Sequence, residues 1–253
     1  MSCVTIRGCR IGEGRTKVIL PIVERTEAAI LARAAEFSTM RADCVEWRAD
    51  WFDAVHDAAA LDRCLHGLRE VLGEKLLLIT FRTRAEGGEA ALTPDQHAAF
   101  CKTVCASGCA DLLDLELFPC GEALPACIAA AHAAGVAVVC SSHDFAKTPP
   151  VAEMVERMVK MQTAGADIAK LAVMPQSAAD VNALKQATAL MNAEHSQTPV
   201  ITMSMGALGA STRLDPGTAM TFACAGKASA PGQLSLDEVN AALDRLFPDE
   251  AKG

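Results

Sequence analysis

The chain contains no tyrosine, and two tryptophans and eight phenylalanines bring its aromatics to only 4%. Flat platforms for stacking nucleobases are therefore scarce. Positive charge is also short: 23 Lys and Arg face 31 Asp and Glu, giving a net charge of −8. Such a balance disfavours a surface that grips polyanions, so nucleic acid is not an expected partner. No apolar run approaches the ~20 residues of a membrane span. The longest candidate, Leu124 to Cys140, is interrupted by Pro125, His132 and Gly135, and the early charges Arg7, Arg10, Glu13, Arg15 and Lys17 disfavour a secretory signal. No membrane association is expected. The eleven cysteines include no C-x-x-C pair. Cys101, Cys105 and Cys109 fall at i, i+4 and i+8 along one side of a helix without adjacent histidines, a pattern of small buried hydrophobes rather than of a metal site. So many free thiols point to a reducing cytoplasm. Neither H-x-x-H nor H-E-x-x-H occurs, and no G-x-G-x-x-G follows the first strand candidate, so neither a metal nor a dinucleotide cofactor is expected.

What the chain does have is 51% hydrophobic residues within a length of 253, arranged as short apolar stretches alternating with helical ones. The strand candidates are Val18–Val23, Cys44–Arg48, Leu76–Thr80, Leu112–Leu117, Val136–Cys140, Ile168–Val173, Val200–Ser204 and Thr221–Ala225. Helical periodicity fills Glu27–Phe37, Ala58–Leu72, Pro94–Ala106, Leu124–Ala134, Val151–Ala164 and Ser177–Met191, and Leu236–Phe247 closes the series. Thr93 before Pro94 reads as a helix start, and Gly73, Gly108, Gly135 and Gly165 as stops. Alternation of this kind demands a parallel sheet with right-handed crossovers. Eight units in a chain of this length predict a (β/α)8 TIM barrel, with residues 1–253 as a single domain. The glycine-bearing segment Cys3 to Gly14 reads as a short N-terminal hairpin covering the barrel bottom.

In such a barrel the C-terminal strand ends form the active face. Lys170 sits inside Ile168-Ala169-Lys170-Leu171-Ala172-Val173, where a charged amine is costly, and a neutral lysine is a nucleophile toward carbonyl carbon. The alternative is a lysine that reaches out to solvent or pairs with an acid. Other strand ends carry Glu46 and Arg48 on one side, Arg82, Asp114 and Glu116, and His143; Arg213 follows the seventh strand. Histidines 56, 66, 97, 132 and 195 fall on helical or linking segments and are expected to be solvated. Three guanidiniums around one cavity suit a small anionic, hydroxyl-rich substrate, and their positive field would favour an uncharged Lys170 beside a general base. An amine and an imidazole converging in this way point to imine formation with a ketone, followed by removal of a proton next to the imine carbon. A class I aldolase and a non-catalytic carboxylate-binding barrel stay open on these grounds.

Seven blocks then carry a family resemblance. They are Lys17 to Val23; Glu46-Trp47-Arg48-Ala49-Asp50; Thr80-Phe81-Arg82-Thr83 with Glu86-Gly87-Gly88-Glu89; Ser142-His143-Asp144-Phe145; Lys170-Leu171-Ala172; Met203-Ser204-Met205-Gly206 with Gly209 and Arg213; and Ser229-Ala230-Pro231-Gly232-Gln233. In this order, across nearly the whole chain, they resemble type I 3-dehydroquinate dehydratase of the shikimate pathway. The resemblance implies a cofactor-free barrel, usually a homodimer, that converts 3-dehydroquinate to 3-dehydroshikimate by losing water. It further implies that Lys170 forms the Schiff base, that His143 handles both proton steps of a syn elimination, and that Glu86 tunes that histidine. Arg213 would clamp the substrate carboxylate, and Glu46, Arg48 and Arg82 would meet ring hydroxyls and orient the ring. Ser229 and Gln233 would lie on a loop closing over the ligand. One departure is Pro21, where some relatives carry a small polar residue, so a substrate hydrogen bond is expected to be missing there.

Overall fold

The computed structural model describes residues 2–226 and 232–250. A short antiparallel hairpin, β1 (Val4–Ile6) and β2 (Cys9–Ile11), comes first. Arg7 and Gly8 between its strands both have positive φ, the geometry that matches a two-residue turn to strand twist. The barrel follows as β3 (Lys17–Ile22), β4 (Cys44–Arg48), β5 (Leu76–Thr80), β6 (Leu112–Glu116), β7 (Ala137–Asp144), β8 (Ile168–Val173), β9 (Val200–Ser204) and β10 (Met220–Cys224). All neighbours from β10 through β3 to β9 pair in parallel. Between β9 and β10 the seam is narrow: Ala219 N–H donates to the Val200 carbonyl at 2.8 Å, and Thr202 N–H to Thr218 Oγ1 at 3.1 Å. A two-residue strand, β11 (Leu234–Ser235), pairs in parallel beside the end of β10.

Helices α1 (Glu27–Ser38), α2 (Ala58–Leu72), α3 (Pro94–Ser107), α4 (Leu124–Ala133), α5 (Val151–Thr163), α6 (Ala178–Glu194), the single turn α7 (Gly206–Gly209) and α8 (Leu236–Leu246) lie in the connections. Thr93, Ser177 and Ser235 start α3, α6 and α8 with reciprocal caps, each hydroxyl accepting the third backbone N–H while Gln96, Asp180 and Glu238 reach back. On α2 the buried set Leu61, Cys64, Leu65, Leu68 and Leu72 keeps helical spacing and faces the sheet.

Strand alternation divides the core in two. Outward residues such as Val45, Trp47, Leu113, Leu115, Cys140 and Leu171 meet the helices. Inward residues Ile19, Cys44, Leu76, Leu112, Val139 and Ile168 fill the lower barrel, and Ile11, with Val4, Ile6 and Cys9, plugs its bottom. The predicted hairpin thus covers the N-terminal face. The strand predicted to stop at Cys140 runs on to Asp144, because Ser141, Ser142 and His143 pair in register with Lys170, Leu171 and Ala172. Hydrophobicity could not signal that extension, since its inward residues are polar. Cys101 and Cys109 are buried and Cys105 is half-buried, as expected of small hydrophobes. His97 overturns the expectation that it is solvated: it is buried against the edge of the Phe81 ring, with Nδ1 3.7 Å from Cys120 Sγ.

Candidate active site

Above the apolar plug the inward positions become polar. Glu46, Thr80, Asp114, Ser141 and Lys170 occupy successive strands β4 to β8, because even spacing from the inward apolar residues below keeps them on the inner face. Over this layer opens a cavity of about 190 Å³, lined by Glu46, Arg48, Arg82, Glu86, Gly87, His143, Phe145, Lys170, Ala172, Met203, Met205, Arg213, Phe222 and Gln233. Every sequence-predicted site residue except Ser229 lines it. Ser229 lies outside the described residues.

Lys170 is 3% exposed, and its Nζ donates to Asp114 Oδ2 at 3.2 Å and lies 3.9 Å from Glu46 Oε1. It also stands 4.5 Å from the centre of the Phe222 ring. These contacts correct the expected positive field. Arg82 sends Nη2 to Asp114 at 2.8 Å and Nη1 to Glu116 at 2.7 Å, so carboxylates stand next to both cations. Arg48 is likewise held by Asp50. Sequence spacing showed three arginines near one rim; only the fold revealed that two of them are already neutralised. Burial alone would raise the Asp114 carboxyl, but Arg82, then Lys170, and the Ser141 hydroxyl at 2.6 Å hold it below the usual carboxylate range. A buried ionic set of this kind is tolerable because nearly every charge is both paired and hydrogen-bonded. In the sequence Asp114 and Glu116, which build it, are legible only as strand-end carboxylates without an assigned role.

His143 Nδ1 lies 2.9 Å from Glu86 Oε2, which also accepts the His143 backbone N–H at 2.9 Å. Burial, reinforced by the charges of Arg82, Lys170 and Arg48, holds the imidazole well below its ordinary range, so it is neutral near pH 7. Burial also pushes the Glu86 carboxyl up to about 8; Arg82 opposes this, and Glu116 and Asp114 add to it. Phe145 stacks beside the imidazole with ring centres 6.5 Å apart. Gly87, at φ +83°, makes room for it, since a Cβ there would stand 2.4 Å from Phe145 Cε2. Gly87→Ala is therefore expected to swing the half-exposed Phe145 off the imidazole. The left-handed backbone adds a cost of about 1 kcal/mol, read as a melting temperature lower by about 2–4 °C. An unchanged melting temperature would show that the loop absorbs the methyl.

Arg213 is 1% exposed; its Nε donates to the Gly232 carbonyl at 2.9 Å, and Nη1 lies 3.7 Å from Met203 Sδ. Burial lowers its guanidinium to about 10, which leaves it a cation at neutral pH. It therefore brings positive charge to a cavity whose lining also includes Met203, Met205 and Phe222.

The model of the type I 3-dehydroquinase family matches residues 18–250. The chain belongs to that family. A 3-dehydroquinate dehydratase of Bacillus licheniformis is 42% identical over 246 residues, covering 96% of this chain and 97% of its own. The solved type I 3-dehydroquinate dehydratase from Clostridium difficile, with covalent modified comenic acid, superposes with a TM-score of 0.94 at 38% identity, covering 98% of this chain and 99% of that one. The 3-dehydroquinate dehydratase from Geobacillus kaustophilus gives the same TM-score, 0.94, at 36% identity, covering 98% of each chain. In this type I dehydroquinase, Gly87, Phe145, Ala172, Met203, Met205 and Phe222 complete the cavity wall, and none of them was predicted as a site residue. Met203, Met205 and Phe145 stood inside the recognised blocks, but apolar residues give no chemical signal of their own. Phe222 could have been found as an inward position of the last barrel strand.

Proposed function

We propose that this chain is a Schiff-base-forming dehydratase that converts 3-dehydroquinate to 3-dehydroshikimate and water, the type I reaction of the shikimate pathway. The observation that carries the reading is one cavity holding a buried amine, a neutral imidazole on a carboxyl partner, and a buried guanidinium. The substrate is a cyclic keto acid, and each of its reacting groups has a matching partner. Arg213 receives the carboxylate. Glu46, Arg48 and Arg82 meet the ring hydroxyls, and Gln233 lines the same cavity.

The neutral amine of Lys170 is the nucleophile. Its nitrogen attacks the C3 carbonyl, and the carbinolamine hydroxyl, protonated from solvent, leaves as water to give the iminium. The positive imine carbon is a better electron sink than a ketone, so the C2 proton becomes removable near neutral pH. His143 takes that proton, leaving an enamine. The enamine electrons then expel the C1 hydroxyl, which leaves as water with the proton His143 carries. Hydrolysis of the conjugated imine releases the enone and restores the amine. Apolar walls limit the water that would cleave the imine early.

Glu86 sets the pH dependence. Below its pKa of about 8 it is a carboxylic acid that donates to Nδ1, leaving the proton of the neutral ring on Nε2 and no lone pair toward the substrate. Above that value the carboxylate accepts from Nδ1–H and frees Nε2 as a base. kcat/KM is therefore expected to rise with pH through about 8, and Glu86→Gln to remove that limb. A wild-type profile flat from pH 6 to 9 would reject the assignment.

The function itself is tested by incubating the protein with 3-dehydroquinate and borohydride, then reading intact mass and mapping the modified peptide. A reduced adduct on Lys170, with growth of the enone absorbance in its absence, is expected. An adduct without the enone favours an aldolase, and no adduct favours a binding barrel; either rejects the proposal. The same reading includes a homodimer of single-domain chains working in the cytoplasm. Sedimentation tests the first, and the described helices include none long and apolar enough to cross a membrane.

A further inference from the structure

Asp50 closes the Glu46-Trp47-Arg48-Ala49-Asp50 block, yet no step of the reaction uses it. Its side chain is 0% exposed. Four donors converge on its two oxygens. Oδ1 accepts from Arg48 Nε at 2.8 Å and from the Arg82 backbone N–H at 3.2 Å. Oδ2 accepts from Arg48 Nη2 at 2.9 Å and from the Glu89 backbone N–H at 3.1 Å. A carboxylate has about four lone-pair directions, so its accepting capacity is filled. Neither an added proton nor an amide nitrogen fits among those donors.

The identity of the donors gives this arrangement its meaning. Arg48 and Arg82 line the cavity. Residues 82 and 89 are the two ends of the turn that carries Glu86, the partner of His143. Within that turn Gly88 N–H donates to the Thr83 carbonyl at 2.8 Å, and a Cβ on Gly88 would stand 1.9 Å from the Arg82 carbonyl oxygen. The two ends thus run against each other, and Asp50 ties them together from below. Its bidentate grip also fixes the plane of the Arg48 guanidinium, which a single hydrogen bond would leave free to rotate.

We infer that Asp50 is a positioning residue whose one carboxylate sets both the aim of Arg48 at the substrate and the seat of the Glu86 turn behind His143. The inference rests on the proposed dehydration and adds a residue that never touches the reacting atoms. It couples recognition to acid–base chemistry: one anion displaced moves both.

Asp50→Asn tests it, because the isosteric amide turns an NH2 group toward two donors. The variant is expected to melt cooperatively and, with 3-dehydroquinate and borohydride, to be modified on Lys170 in full. KM rises about tenfold and kcat falls about tenfold, so kcat/KM drops about 100-fold, the scale of a small misplacement of reacting groups. A purely structural role would lower kcat and the trapped fraction together and leave KM unchanged; that result, or wild-type constants, overturns the inference. Asp50→Glu keeps the charge on an arm one methylene longer and carries the test if the amide variant does not fold. Raised KM with complete trapping supports the inference, and wild-type constants in that variant overturn it too. Unfolding of both variants would assign Asp50 to folding alone and equally overturn it. A wild-type protein that neither traps nor forms the enone removes the dehydratase reading itself, which separates the two failures.

Discussion

Lys170→Ala is expected to abolish turnover and borohydride trapping together, while the barrel stays folded. No other lysine among the described residues lines the cavity, so none of these can replace the lost nucleophile. Without the imine, the C2 proton must leave beside a plain ketone, and the barrier rises accordingly. A loss of at least about 10⁴-fold in kcat corresponds to about 5 kcal/mol of barrier. Folding survives because Asp114 keeps Arg82 at 2.8 Å and Ser141 at 2.6 Å, and Glu46 keeps the Thr80 hydroxyl at 2.8 Å, so each carboxylate beside Lys170 retains a hydrogen-bond partner. Intact mass after reduction, stopped enone assays and a thermal melt read the three parts of this expectation separately. Residual activity within tenfold of wild type would end the Schiff-base mechanism for this protein.

His143→Ala separates the two halves of the chemistry. The variant should still form the imine, because Lys170 keeps its Asp114 and Phe222 contacts. It should then stall, since the same imidazole serves both the removal of the C2 proton and the protonation of the departing hydroxyl. One general base is worth about 10²–10⁴-fold, so kcat is expected to fall by at least about 10³-fold. Glu86 loses its ring partner but still accepts the backbone N–H of residue 143, which keeps its turn in place. The signature is a substrate-length adduct that accumulates on Lys170 before reduction while enone production stays slow. Wild-type turnover in this variant would take the histidine out of its assigned role, and absence of the adduct would tie it to imine formation instead.

Both variants target residues that stood out in the sequence for the same reason: a charged or titratable group at the end of an apolar strand is costly unless it has work to do. Glu46 and Arg48 were legible by alternation, and the fold keeps them on one inner face of β4. Asp50 was equally visible but without meaning, because its four donors come from three separate places in the chain. The wall residues Phe222, Met205 and Ala172 were silent for a simpler reason. An apolar residue inside a barrel strand looks the same whether it faces core or ligand.

The electrostatics went furthest beyond what a linear reading can supply. Counting arginines near one rim predicted a positive field around Lys170, whereas Asp114 and Glu46 stand 3.2 and 3.9 Å from its Nζ. Net field depends on the distance between charges, and those distances are fixed only when β4, β5, β6 and β8 close side by side.

The alternation of apolar strands and capped helices, by itself, determined the barrel, its bottom hairpin and the face on which chemistry gathers, since period and spacing are local properties of a chain. Tertiary structure alone decided which acid neutralises which base, at what distance Glu86 backs His143, and that one buried carboxylate at position 50 ties two arginine segments together. Apart from Arg48 and Asp50, which are two residues apart, those pairings join residues distant in the chain, and only closure of the barrel brings their atoms within hydrogen-bonding reach.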